Sequence, residues 1–169
     1  MTKTWDKSRL PSRHVTVGPD RAPHRSYYYA MGLTEEEINQ PFVGVATCWN
    51  EAAPCNIALS RQAQSVKKGV IEASGTPREF TTITVTDGIA MGHQGMKSSL
   101  VSREVIADSV ELTVRGHGYD ALVEPPVAPT MTAAFCSAFR VTMSRGRMFF
   151  SMRFITALPD STAQRSRSS

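Results

Sequence analysis

Between residues 42 and 123 an apolar run, a helix-period stripe, a β-rich run, a second helical stretch and a third short run follow one another. That alternation restricts the fold more than any other feature of the chain. Phe42 to Thr47 is mostly apolar and short enough for a buried strand. Leu59, Ala63, Val66, Val70 and Ala73 recur at helical intervals and predict one amphipathic helix, ended by Gly75 and Pro77. Glu79 to Thr86, rich in Thr, Ile, Val and Phe, reads as a second strand leading into a glycine-rich loop from Asp87 to Met96. Ser98 or Ser99 can cap the next helix, which runs to about Arg115 and stops at Gly116, and Tyr119 to Val123 starts a third strand. Upstream, Thr34-Glu-Glu-Glu37 has the form of a capping box for a short helix that Pro41 ends. Strands separated by helices require right-handed crossovers, so the expected fold class is α/β, a layered parallel sheet of βαβ units. In such sheets ligands gather outside the carboxyl ends of the strands. That marks three loops: Cys48 to Asn56, Asp87 to Met96, and whatever follows Val123.

Charge and composition break at the third loop. Residues 1–123 hold five Lys and eight Arg against five Asp and eight Glu, a balance of zero, so residues 124–169, with six Arg, one Glu and one Asp, carry the whole net charge of +4. Five of the seven Phe and four of the eight Met also fall after Val123, in a stretch that fits neither the helix nor the strand period. The chain therefore divides into residues 1–123, part of one α/β domain, and residues 124–169, an atypical tail expected to be poorly structured. A basic field confined to such a tail, with no basic helix face and no aromatic platform, argues against nucleic acid. No run of about eighteen uncharged apolar residues exists, and Met1 to Arg9 is polar, so neither a membrane span nor a secretory signal is expected and the expected compartment is the cytoplasm. Three cysteines, Cys48, Cys55 and Cys136, are too few and too irregular for a disulfide scaffold.

The first loop places Cys48 directly after an apolar strand, where a thiol usually packs as a small hydrophobe. Cys55, between Pro54 and Asn56 and shortly before a helix, can instead serve as a thiolate ligand or nucleophile. The seven-residue interval between the two is not that of a zinc knuckle. The second loop has three glycines, but Met96 intrudes where a Walker A motif would place glycine before lysine, and a dinucleotide fingerprint fails on spacing. Asp87, at the strand end, can hold a hard cation or act as a turn carboxylate. His93 and His117 can do acid–base work or be merely hydrogen-bonded.

Several longer words accompany these loops: Ser12-Arg13-His14-Val15-Thr16, Gly18-Pro19-Asp20-Arg21-Ala22-Pro23-His24-Arg25, Ala30-Met31-Gly32-Leu33, Trp49-Asn50-Glu51 with Pro54-Cys55-Asn56, Gly75-Thr76-Pro77-Arg78-Glu79-Phe80, Thr86-Asp87-Gly88-Ile89-Ala90-Met91-Gly92-His93 and Tyr119-Asp120-Ala121-Leu122. In that order they resemble the N-terminal part of the dihydroxy-acid dehydratases, within the wider family of sugar-acid and phosphogluconate dehydratases. The resemblance covers essentially residues 1–123. It implies a hydro-lyase of branched-chain amino-acid (valine and isoleucine) synthesis that converts a 2,3-dihydroxy acid, such as 2,3-dihydroxyisovalerate, to a 2-oxo acid. It further implies a [2Fe-2S] cluster bound by Cys55, magnesium (Mg2+) bound by Asp87, and a homodimer for the full-length family. By that resemblance the cluster acts as a Lewis acid on the leaving C3 hydroxyl and magnesium stabilises the enolate formed at C2.

The sequence departs from the family at Gln94, where glutamate is usual, and at Gly118, where cysteine is common. After Val123 the family continues with Gly-Cys-Asp-Lys, whose Cys ligates the cluster and whose Asp and modified Lys serve magnesium. None of this word is present, and Cys136 lacks the following Asp-Lys. Three readings follow: a dihydroxy-acid dehydratase, a truncated or frame-shifted inactive fragment with at most a binding role, and a sugar-acid dehydratase.

Overall fold

The computed structural model describes residues 5–125. Helices α1 (Arg13–Thr16), α2 (Ala22–Ala30) and α3 (Glu35–Asn39) precede strand β1 (Phe42–Thr47). Then follow α4 (Leu59–Glu72), β2 (Thr76–Thr81), α5 (Asp87–Ala90), α6 (Lys97–His117) and β3 (Ala121–Val123). The three strands form one parallel sheet in the order β2-β1-β3. β1 pairs with β2 from Phe42 opposite Thr76 to Thr47 opposite Thr81, and with β3 from Val43 opposite Ala121 to Val45 opposite Val123. The expected α/β class with parallel βαβ units is therefore the observed one. The first crossover steps from β1 to β2 and the second steps back from β2 across β1 to β3, so right-handed connections put α4 and α6 on opposite faces of the sheet.

One core cluster gathers Phe42, Ala46 and Cys48 from β1 and its end, Ile106, Ala107, Val110 and Val114 from α6, and Leu122 from β3. Gly44 sits in the middle of β1, and a Cβ there would lie 2.8 Å from Tyr119 Cδ2 and 3.1 Å from Leu122 Cδ1, so only glycine admits this approach. The N-terminal segment is tied to the sheet by two buried charges. The Asp120 carboxylate accepts from the Ser12 amide (2.7 Å), the Ser12 hydroxyl (2.6 Å) and the Phe42 amide (2.8 Å). Lys7 Nζ donates to the carbonyls of Ile38 (2.8 Å) and Gln40 (2.5 Å) at the end of α3 and stands 4.1 Å from the Phe42 ring centroid.

The capping box forms as expected: Thr34 Oγ1 accepts from the Glu37 amide at 3.3 Å, and Glu37 Oε2 accepts from the Thr34 amide at 2.8 Å. The helical stripe from Leu59 is α4, with Leu59 and Ala63 wholly buried. The expected bounds of three elements are corrected. β2 begins at Thr76 rather than Glu79 and ends at Thr81 rather than Thr86. Pro77 is tolerated because β2 is an edge strand, and the pairing runs out where β1 ends, with a last bond from the Thr82 amide to the Thr47 carbonyl (2.8 Å). α6 begins at Lys97 without a side-chain cap, and it passes through Gly116 to His117. Its terminator is Gly118, in the left-handed region at φ 64°, where the Tyr119 amide bonds back to the Val114 carbonyl. The third strand starts at Ala121 rather than Tyr119, because Asp120 is occupied in closing the amino edge of β1. The tail expected over residues 124–169, with Cys136, lies outside the described residues beyond Pro125.

Candidate functional site

The parallel sheet sends the segments after β1, β2 and β3 out from one edge, the carboxyl edge. After β1, Cys48 is wholly buried in the core and burial pushes its thiol up to about 11, which is the packing reading of that residue. Asn56, also buried, folds the loop back onto the strand end. Its Nδ2 donates to the Cys48 carbonyl (2.6 Å) and to Cys48 Sγ (3.0 Å). Asn50 Nδ2 donates to the same carbonyl (3.0 Å), while its Oδ1 accepts from the Ala52 and Ala53 amides. Between these two anchors lies Cys55, exposed and four residues ahead of Leu59, with Sγ donating to Asn56 Oδ1 at 3.2 Å. One amide side chain thus touches both thiols, holding one inside and one at the surface.

After β2, Asp87 is the first residue of α5 and Thr86 its N-cap. The Asp87 carboxylate accepts from the hydroxyl of Ser99, which is buried in the first turn of α6. Ser99, expected as a helix cap, instead ties α6 to the strand-end carboxylate. The structure thus places Cys55 and Asp87 in the loops of two neighbouring strands at one edge of the sheet. Both histidines are satisfied locally. His93 Nδ1 accepts from the Gly95 amide (3.0 Å) while Nε2 faces the Ile89 carbonyl (3.1 Å), and His117 Nδ1 lies 3.0 Å from the Thr113 carbonyl.

Sequence reasoning missed Glu124. It follows β3 at the same edge, its Oε1 is enclosed without a hydrogen-bond partner among the described residues, and burial pushes its carboxyl up to about 7. Its charge also helps to raise the Cys48 thiol, behind burial itself. The only sequence signal was a carboxylate ending an apolar strand, directly before two prolines.

Among the described residues no group of three or more His, Cys, Asp or Glu side chains could hold a metal ion. Cys55 is a suitable donor for a soft centre and Asp87 for a hard one, but each stands as a single ligand. The described residues by themselves therefore complete neither a cluster site nor a magnesium site.

The family described as Dihydroxy-acid/6-phosphogluconate dehydratase N-terminal matches residues 40–143. A dihydroxy-acid dehydratase of Parvibaculum lavamentivorans is 90% identical over 121 residues, 72% of this chain and 21% of its own length. One from Dinoroseobacter shibae is 81% identical over 123 residues, 73% of this chain and 21% of its own. One from Metallosphaera sedula is 58% identical over 119 residues, 70% and 21%. The chain spans about a fifth of the length of these curated relatives. No helix among the described residues is long and apolar enough to cross a membrane.

Proposed function

The chain belongs to the dihydroxy-acid/6-phosphogluconate dehydratase family, and from that membership we propose that it serves a cytoplasmic hydro-lyase converting 2,3-dihydroxy acids, of the 2,3-dihydroxyisovalerate type, to 2-oxo acids in valine and isoleucine synthesis. The observation that carries this reading is the placement of Cys55 and Asp87 in the loops of adjacent parallel strands at one sheet edge. Loss of water from a 2,3-diol acid needs a group to take the C2 proton and something to accept the departing C3 hydroxyl, so two centres must face one substrate. Two neighbouring strand-end loops are suited to that. In this reading Cys55 is one ligand of a [2Fe-2S] cluster and Asp87 one ligand of magnesium, and the other ligands come from polypeptide outside the described residues.

The expected behaviour of the 169-residue chain alone follows from the ligand count: it neither retains a cluster after anaerobic reconstitution with iron and sulfide nor dehydrates 2,3-dihydroxyisovalerate. A full-length hybrid carrying residues 5–123 of this chain in the Parvibaculum relative, with the relative's own continuation after Val123, is expected to do both, and to lose cluster iron on Cys55→Ser and turnover on Asp87→Asn. A Cys55→Ser hybrid with full iron content would overturn the assignment, as would stoichiometric iron in the isolated chain that persists in its own Cys55→Ser variant.

A further inference from the structure

The two long helices meet their surroundings differently. α4 turns Arg61, Gln62, Gln64, Ser65, Lys68 and Glu72 outward, a face suited to water, with Ile71 its one large apolar exception. α6 buries Ile106, Ala107, Val110 and Val114 against the sheet, yet its opposite side carries three exposed apolar residues, Val101, Val105 and Leu112, at i, i+4 and i+11, with the exposed carboxylate of Asp108 at i+7 between them. Val101 is 62% exposed and Leu112 71%. The patch continues past the helix start to Met96, Met91 and Ile89, the last two 70% and 62% exposed, beside Asp87. A soluble domain rarely leaves so extended an apolar surface bare.

We propose that this face of α6, with the α5 segment, is an interior interface of the complete dehydratase, covered by the polypeptide that makes up the other four fifths of a relative's chain. The proposal rests on the dehydratase reading above and adds where the missing polypeptide lies. Three observations select this occupant. The relatives extend far beyond the matched stretch, so in a full-length relative a large body of further chain accompanies this segment. The described chain leaves β3 at the carboxyl edge, and helices of parallel crossovers run antiparallel to the strands, so the departure point lies at the same end of the sheet as the α6 start and its Val101. The patch also runs up to Asp87, so whatever covers it is brought to a carboxylate that stands as a single ligand among the described residues.

Hydroxyl-radical footprinting read by mass spectrometry tests this without depending on turnover. In the 169-residue chain Val101, Val105 and Leu112 are expected to oxidise quickly; in the full-length hybrid their rates fall at least tenfold, while Ile71 on α4 changes little. The full-length Parvibaculum enzyme, footprinted over its matching helix, gives the same reading without the hybrid's junction. Equal oxidation of α6 in the chain and in the full-length proteins overturns the proposal. Protection already present in the 169-residue chain overturns it as well, assigning the cover to a second copy if it grows with concentration and to residues 126–169 if it does not. A hybrid with α6 protected but no turnover leaves the interface standing and counts against the dehydratase reading alone.

Discussion

Glu124→Gln is expected to remove a specific acid-range dependence of stability. The carboxyl ordinarily titrates near 4.5, and in the folded chain burial raises it to about 7. Between those values the native state keeps a proton that the unfolded chain has released, so the contribution of this carboxyl to stability is most favourable below pH 4.5 and declines as pH rises to about 7. A wholly dry group shifted over that span would lose about 3 kcal/mol. Glu124 is only partly buried although its Oε1 is enclosed, and solvent screening reduces the expectation to about 1–2 kcal/mol. Glutamine keeps the shape and cannot ionise. Urea unfolding of the 169-residue chain and its Glu124→Gln variant, from pH 4.5 to pH 8, should therefore give free energies that diverge by that amount in favour of the variant as pH rises. Parallel curves would refute the reasoning, since they would mean that the carboxylate is as well solvated folded as unfolded.

Lys7 carries the opposite sign. Burial lowers it from 10.5 to about 8, so the unfolded chain binds the extra proton between those values and stability should rise with pH there; a Lys7→Met variant, followed by thermal melts at several pH values, should lose the rise. Gly44→Ala drives a Cβ to 2.8 Å from Tyr119 Cδ2 and should destabilise by about 1–3 kcal/mol, measured as a lower urea midpoint at unchanged slope. Asn56→Ala strips a donor from the buried Cys48 carbonyl and frees the Cys55 loop, for a loss of about 1–3 kcal/mol. Faster amide exchange over residues 49–58, with no change in α6, would show that the loss is local.

The parts of this fold that could be read from sequence are those set by neighbours in sequence. The Leu59 stripe and the Thr34–Glu37 box depend on three- and four-residue intervals; the box forms as read, and the stripe forms as α4 except at its last member, Ala73, which is the exposed C-cap. The misread boundaries were decided by contacts no local pattern contains. Pro77 ends helices as a rule but enters a strand here because β2 has one free side. Gly116 and Gly118 are equivalent as letters; Gly118 ends α6 because its neighbours Tyr119 and Asp120 are held in the core and at the amino edge of β1. Asp120 joins Ser12, 108 residues away, and Phe42, 78 away, and nothing near Tyr119 announces either partner. The site divides along the same line. That Cys48 packs and Cys55 stays outside follows from an apolar strand meeting a turn. That one buried amide, Asn56, holds both thiols, and that Ser99 reaches Asp87 across the glycine-rich loop, are facts of the closed tertiary structure. Asp87 shows the same division: a carboxylate at a strand end is legible as a turn or cation-binding group, but that it engages Ser99, twelve residues on, is decided only when α6 takes its place.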